Sequence, residues 1–152
     1  KRKIGSPFYR YWFGLSMIFA YMSIDEVASL HERAIGTLRY MLGADGIFYF
    51  AWVIPAAVGL LLLGIVYARF LWHLQVRWKG LFAIAATLYV GGALGVELVG
   101  GWYASNYGTE SFIYALITTV EETLEMGGAA FFIYALFDHL SSLVERVNIL
   151  FQ

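Results

Sequence analysis

Apolar residues run in four long stretches separated by short polar segments, covering 8–30, 47–72, 81–103 and 111–137. The last keeps its pattern to Val147. Crossing roughly 30 Å of hydrocarbon takes about 20 helical residues, so each stretch is long enough to span a bilayer. Backbone amides in lipid must be satisfied within their own segment, which makes helices the default spanning form. A barrel would need many short alternating strands, and this chain has the wrong period. Ser6 and Pro7 precede the first stretch as an N-cap and first-turn pair. Pro55 falls inside the second and predicts a kink there. The pattern therefore predicts an all-α polytopic membrane protein, an antiparallel bundle of four transmembrane helices in a single domain over 1–152. Between the spans, residues 33–46 leave room for an interfacial helical piece ending at Gly43-Ala44-Asp45-Gly46. Residues 73–80 make a short basic connection and 106–110 a tight turn.

Composition strengthens this reading. The chain is 61% hydrophobic and only 14% charged, where soluble domains carry nearer a quarter. Mean hydropathy is +0.68. The absence of cysteine excludes disulfides, thiolate ligands and thiol catalysis. A net charge of -1 gives no basic footprint for nucleic acid. No phosphate loop, nucleophile elbow or HExxH motif is present. Lys and Arg set the orientation. Lys1, Arg2, Lys3, Arg10, Arg69, Arg77, Lys79 and Arg146 fall on one side, and only Arg33 and Arg39 on the other. Both termini are therefore expected in the cytoplasm. Tyr and Trp near the span ends (Tyr9, Tyr11, Trp12, Trp72, Trp78, Trp102, Tyr103, Tyr107) suit the two bilayer interfaces.

The candidate chemistry lies in the acids within the spans. In the first helix, Asp25, Ser29 and Glu32 share one face, with Glu26 and His31 flanking it. The third carries Glu97, with Ala93, Gly100 and Gly101 beside it to admit another helix. The fourth carries Glu121, Glu122 and Glu125. Counted from the outer span ends, Asp25, Glu97 and Glu121 sit at similar depths, about 12–15 Å at 1.5 Å per residue. A charge at mid-bilayer costs roughly 2.5–3.5 kcal/mol on insertion scales. Such acids are expected to face inward and to be neutral, paired or metal-bound. Arg33 and Arg39 are the nearest cations, too few to balance them.

Other features read as structural. Arg69, His73 and Arg77 recur every four residues as a solvated, headgroup-facing stripe at the end of the second helix. Asp138 and His139 are expected at the surface, and Gly91-x-x-x-Gly95 as a helix-packing motif.

The segments Tyr21-Met22-Ser23-Ile24-Asp25-Glu26 with His31-Glu32, Gly91-Gly92-Ala93-Leu94-Gly95-x-Glu97 with Gly100-Gly101, and Glu121-Glu122-x-x-Glu125-Met126 together resemble a group of uncharacterised bacterial multipass membrane proteins. The resemblance implies a bacterial inner membrane protein and carries no activity with it. From the residues, the leading expectation is a carboxylate/His site for one or two divalent metal ions (iron, zinc or manganese). Its ligands would be Asp25, Glu26, His31, Glu97, Glu121, Glu122 and Glu125, with Glu32 at the rim. The Glu-x-x-His repeats of di-iron bundles are absent. If the metal is redox-active, a lipid-soluble substrate such as a quinone would suit the location. No catalytic residue is assigned. Two rival expectations remain. One is a structural or accessory subunit of a larger membrane complex or homo-oligomer. The other, ranked last, is a proton or cation pathway, because the fourth helix beyond Glu125 is apolar apart from Tyr134.

Overall fold

The computed structural model of the chain describes residues 8–150, with side chains described up to residue 143. Among the described residues every regular element is helical. The chain groups into two compact units. One runs to Ala44 and includes Phe50–His73, and the other holds Asp45–Tyr49 and the chain from Leu74 onward.

In the first unit, α1 (Tyr9–Ala28) and α3 (Val53–His73) run antiparallel, the start of one against the end of the other. Phe70 is buried at this contact. Tyr11 stacks on it with ring centroids 5.4 Å apart, and Trp12 meets it edge-on at 5.0 Å. The Tyr67 hydroxyl donates to the Tyr11 carbonyl at 2.9 Å. These aromatic contacts add directional attraction to the area they bury. Pro55 lies in the first turn of α3, where its missing N–H leaves no helical bond unmade. It therefore produces no mid-span kink.

The first span closes near the limit expected at Leu30, and a separate helix follows it. Ser29 adopts a left-handed conformation (φ 48°, ψ 46°), and α2 (Leu30–Leu42) leaves α1 at 81°. A non-glycine residue in that conformation costs roughly 1–2 kcal/mol, so something must hold it there. The break also undoes the shared face expected for Asp25, Ser29 and Glu32, because the helical period stops between them. α2 ends at Gly43 (φ 59°), a position glycine occupies without strain.

In the second unit, α4 (Val76–Val90) passes through a π-helical turn (Gly91–Val96) into α5 (Glu97–Tyr107), and α6 (Phe112–Leu150) packs antiparallel to this run. Ser111 caps α6 by accepting the Tyr114 N–H at 3.1 Å. The pairing can be followed contact by contact. Trp78 meets His139 at 4.5 Å between ring centroids, and Phe82 meets Phe132 at 5.3 Å. Next, Tyr89 lies against Gly128, then Gly92 against Glu121, Leu124 and Glu125. Tyr103 receives a hydrogen bond from Ser111 at 2.9 Å near the end of the pair.

Two glycines set the spacing of these helices. A Cβ at Gly128 would lie 2.6 Å from the Tyr89 backbone nitrogen, and one at Gly92 would lie 2.8 Å from the Glu121 carbonyl oxygen. Gly91, Gly95 and Gly127 have open space at the same position. The Gly91/Gly95 pair expected to form the helix contact therefore does not. The neighbouring residue Gly92 does, because it continues the buried face of Trp78, Phe82 and Ala85 at helical spacing.

Asp138 fastens the opposite end of the pair. It accepts hydrogen bonds from Arg77 and from the buried Trp78 Nε1, the latter at 2.9 Å. Arg77 thus lies on α4 and pairs across the unit, so it does not extend an Arg69–His73 stripe. Asp138 and His139 are half-buried contacts rather than surface residues. Val53–His73 and Val76–Tyr107 are each long and apolar enough to cross a membrane, and α1 with α2 qualifies as a bent pair. By length and composition this supports two to three candidate spans, fewer than the four expected.

Gly128→Ala is expected to destabilise the second unit by about 1–3 kcal/mol, the usual cost of overpacking against an immovable backbone. Gly127→Ala is expected to be neutral or slightly stabilising through helix propensity. Thermal unfolding of both variants in detergent checks this, and equal midpoints would refute the close-contact account.

Candidate functional site

The polar residues singled out by sequence fall into two groups, one in each unit. In the first unit the Asp25 carboxylate reaches across the helix break. Its Oδ1 accepts the His31 backbone N–H at 3.1 Å, and its Oδ2 lies 2.6 Å from His31 Nδ1. Ser29 makes no side-chain cap for α2, so Asp25 does the capping from the preceding helix. The same carboxylate orients the imidazole, which packs on Trp52 with ring centroids 4.7 Å apart. Glu26 and Glu32, both expected near this site, lie on exposed faces of α1 and α2. Their exposure follows from the turn at Ser29, which directs only Asp25 toward His31.

In the second unit the Glu97 and Glu121 side chains lie within interaction reach of each other. Glu122 and Glu125 are within electrostatic reach of the same group. Glu97, Glu121 and Glu125 are half-buried, whereas Glu122 lies on the exposed side of α6, so the expectation that all these acids face inward fails for it. The Glu125 side chain passes beside Gly92, its Cγ 3.1 Å from where a Cβ would stand.

The π turn accounts for Glu97's direction. Trp78, Phe82, Ala85 and Gly92 form the buried face of this helix. Continued as a regular α-helix, that face would leave Glu97 about 100° off it. A π turn adds one residue per turn and so takes back about one residue of rotation. Glu97 is thereby brought round to face α6.

Two tyrosines complete this layer and were not singled out from the sequence. Tyr114 lies beside Thr118 and within electrostatic reach of Glu97, Glu121 and Tyr49. Tyr114, Thr118, Glu121 and Glu125 recur at three- and four-residue intervals along one face of α6. That spacing was the available signal for Tyr114. Tyr49 carries no such signal. It comes from the turn at Gly46–Phe48, whose preceding Asp45 is tied to α5 by a 2.7 Å hydrogen bond from Ser105. Among the described residues, no group of three or more His, Asp or Glu side chains is arranged to hold a metal ion.

The fold and this site define an all-helical protein with two to three candidate membrane spans and an acidic layer between two packed helices. The chain belongs to the family described as Domain of unknown function (DUF8692), whose model matches residues 2–140. This agrees with the resemblance to an uncharacterised family. No curated protein and no solved structure matches the chain.

Asp25→Ala removes both the cap of α2 and the pin on His31. It is expected to cost about 1–2 kcal/mol locally. Hydrogen exchange of the amides at Leu30–Arg33 should then accelerate roughly tenfold, in line with local opening. Unchanged protection there would show that the bend is held by something else.

Proposed function

We propose that this chain is a multipass membrane protein that binds a cation in the acidic layer formed by Glu97, Glu121 and Glu125. The observation that carries this reading is the placement of the Glu97 and Glu121 carboxyl groups within reach of each other on helices held together at Gly92. Two carboxyl groups can bond to each other only through a shared proton. A shared proton marks a place where negative charge is concentrated and has been neutralised. A divalent cation such as iron, zinc or manganese neutralises the same charge by displacing that proton. Glu97 and Glu121 would supply its first oxygens, Glu125 a third after a rotamer change, and water the rest, as hard cations commonly retain water. Asp25 and His31 already satisfy each other and act first in holding the bend. In this reading the spans are α1, α3, the α4–α5 run and α6, in a bacterial inner membrane with both termini cytoplasmic, as the Lys and Arg distribution favours.

The test is binding of manganese, zinc and iron(II) to the purified chain in detergent, followed by titration calorimetry and metal analysis. The expected result is about one equivalent bound, with proton release that grows as pH falls, and loss of binding in Glu97→Gln and Glu121→Gln. Absence of binding at millimolar metal, with both variants behaving like the parent, would overturn the metal form of this proposal.

A second reading, an accessory subunit of a membrane complex, is favoured by a different observation. Only 11% of the most apolar window of α3 is buried within the chain. Ala57, Leu60, Leu61, Gly64, Ile65 and Ala68 line an open apolar groove along it. Extraction from native membranes in mild detergent discriminates between the readings. A stoichiometric partner supports the subunit reading, and a monodisperse lone chain counts against it.

A further inference from the structure

We infer that α2 is a surface helix that lies in the plane of the bilayer and docks on the lipid headgroup layer, with the Asp25–His31 contact fixing its angle. This rests on the membrane reading above. α1 has 20 residues, which at 1.5 Å each gives about 30 Å, one hydrocarbon thickness. α2 leaves it at 81°. A helix nearly perpendicular to a segment that crosses the bilayer runs along the interface.

The sequence of α2 is built for that position. At 100° per residue, Leu30, Ala34, Ile35, Leu38, Met41 and Leu42 fall within one arc of about 140°. Glu32, Gly36 and Tyr40 lie opposite. Arg33 and Arg39 stand on either side of the polar arc, about 120° apart. That is where long cationic side chains of an in-plane helix extend toward the phosphate layer while their stems cover apolar surface. Within the chain the apolar arc is only partly covered, since Leu30, Met41 and Leu42 remain 41%, 73% and 51% exposed. α1 and α3 lack this two-faced pattern, their exposed apolar residues being spread around the helix.

Three consequences distinguish this from a re-entrant loop or a single straight span. The two faces of α2 meet different solvents. The polar face stays wet along its whole length. Depth changes little from Leu30 to Leu42, whereas a crossing helix would change depth by about 18 Å over the same residues.

The chain contains no cysteine, so each introduced thiol is the sole label site. Spin labels at Leu30→Cys, Glu32→Cys, Gly36→Cys and Met41→Cys can be read in the full chain reconstituted in phosphatidylcholine/phosphatidylglycerol vesicles. A Cβ at Gly36 meets nothing within 4 Å, so that label is accommodated. Relaxation by oxygen against a water-soluble nickel chelate reports depth. The expected result is oxygen-dominated relaxation at Leu30 and Met41, nickel-dominated relaxation at Glu32 and Gly36, and equal depth at the two apolar sites. A monotonic change of depth along α2, or water exposure at all four sites, overturns the inference. Leu61→Cys in α3 is the control. If it too is in water, the membrane reading has failed; if it is in lipid while α2 shows no periodicity, only the surface-helix inference has failed.

Discussion

The close approach of the α4–α5 run to α6 at Gly92 and Gly128 governs the second unit. Backbone atoms of one helix occupy the space where the other would carry a side chain. In lipid no hydrophobic force drives helices together, so close backbone contact supplies the van der Waals energy and small residues permit it. The two glycines lie on opposite helices, so each serves as the receiving surface for the other helix's backbone. Ring contacts from Trp78 and Phe82 continue the seam on one side, and the Ser111–Tyr103 hydrogen bond closes the other. Asp138 adds a polar fastening where α4 begins, accepting from Trp78 and Arg77.

The acidic layer follows from that seam. Gly92 stands beside the Glu121 carbonyl and the Glu125 side chain, and five residues later the chain presents Glu97 to the same stretch of α6. Helices held farther apart would leave each carboxyl to find its own solvent. Held this close, two carboxyls repel each other when both are ionised. The π turn contributes the direction and the glycines contribute the distance. π turns inside α-helices occur disproportionately at functional sites, and here the turn has a definite effect on one acid.

The helical class, the end of α3, the start of α6 and the tight turn at Gly108 were legible in the sequence because long apolar runs and breakers report them directly. The meeting of Glu97 with Glu121 was legible too, since both fall at one depth when helices are counted from their ends; Asp25, counted to the same depth, pairs with His31 in the other unit instead. The close of the first span near Leu30 was legible, but the left-handed turn at Ser29 was not, because Asp25-Glu26-Val27-Ala28-Ser29 contains no helix breaker. The turn depends on a side chain capturing an amide six residues later, which periodicity does not register. The π turn was hidden for a related reason. Its glycines suggested Gly91 and Gly95 as the contact, whereas the face running from Trp78 through Phe82 and Ala85 selects Gly92, and the wider turn shows itself only in the direction of Glu97. Glu122 was misplaced because adjacent acids on a helix point about 100° apart, and only one of the pair could join Glu97.

The two acid groups differ in what the fold explains. Asp25 is accounted for locally, because its two oxygens meet an amide and an imidazole and hold a strained bend. Replacing it would be felt as lost structure. Glu97 and Glu121 have no comparable structural explanation. A Gln–Gln or Ser–Thr pair would bridge two close helices without placing ionisable groups there, and interhelical bonds of that kind stabilise by only about 1 kcal/mol. Carboxyls at this position cost more to bury than neutral amides and stabilise the helix pair no better. The property they add is the capacity to take up and release a positive charge. That capacity makes the layer between α5 and α6 a stronger candidate for function than the better-defined contact at Asp25.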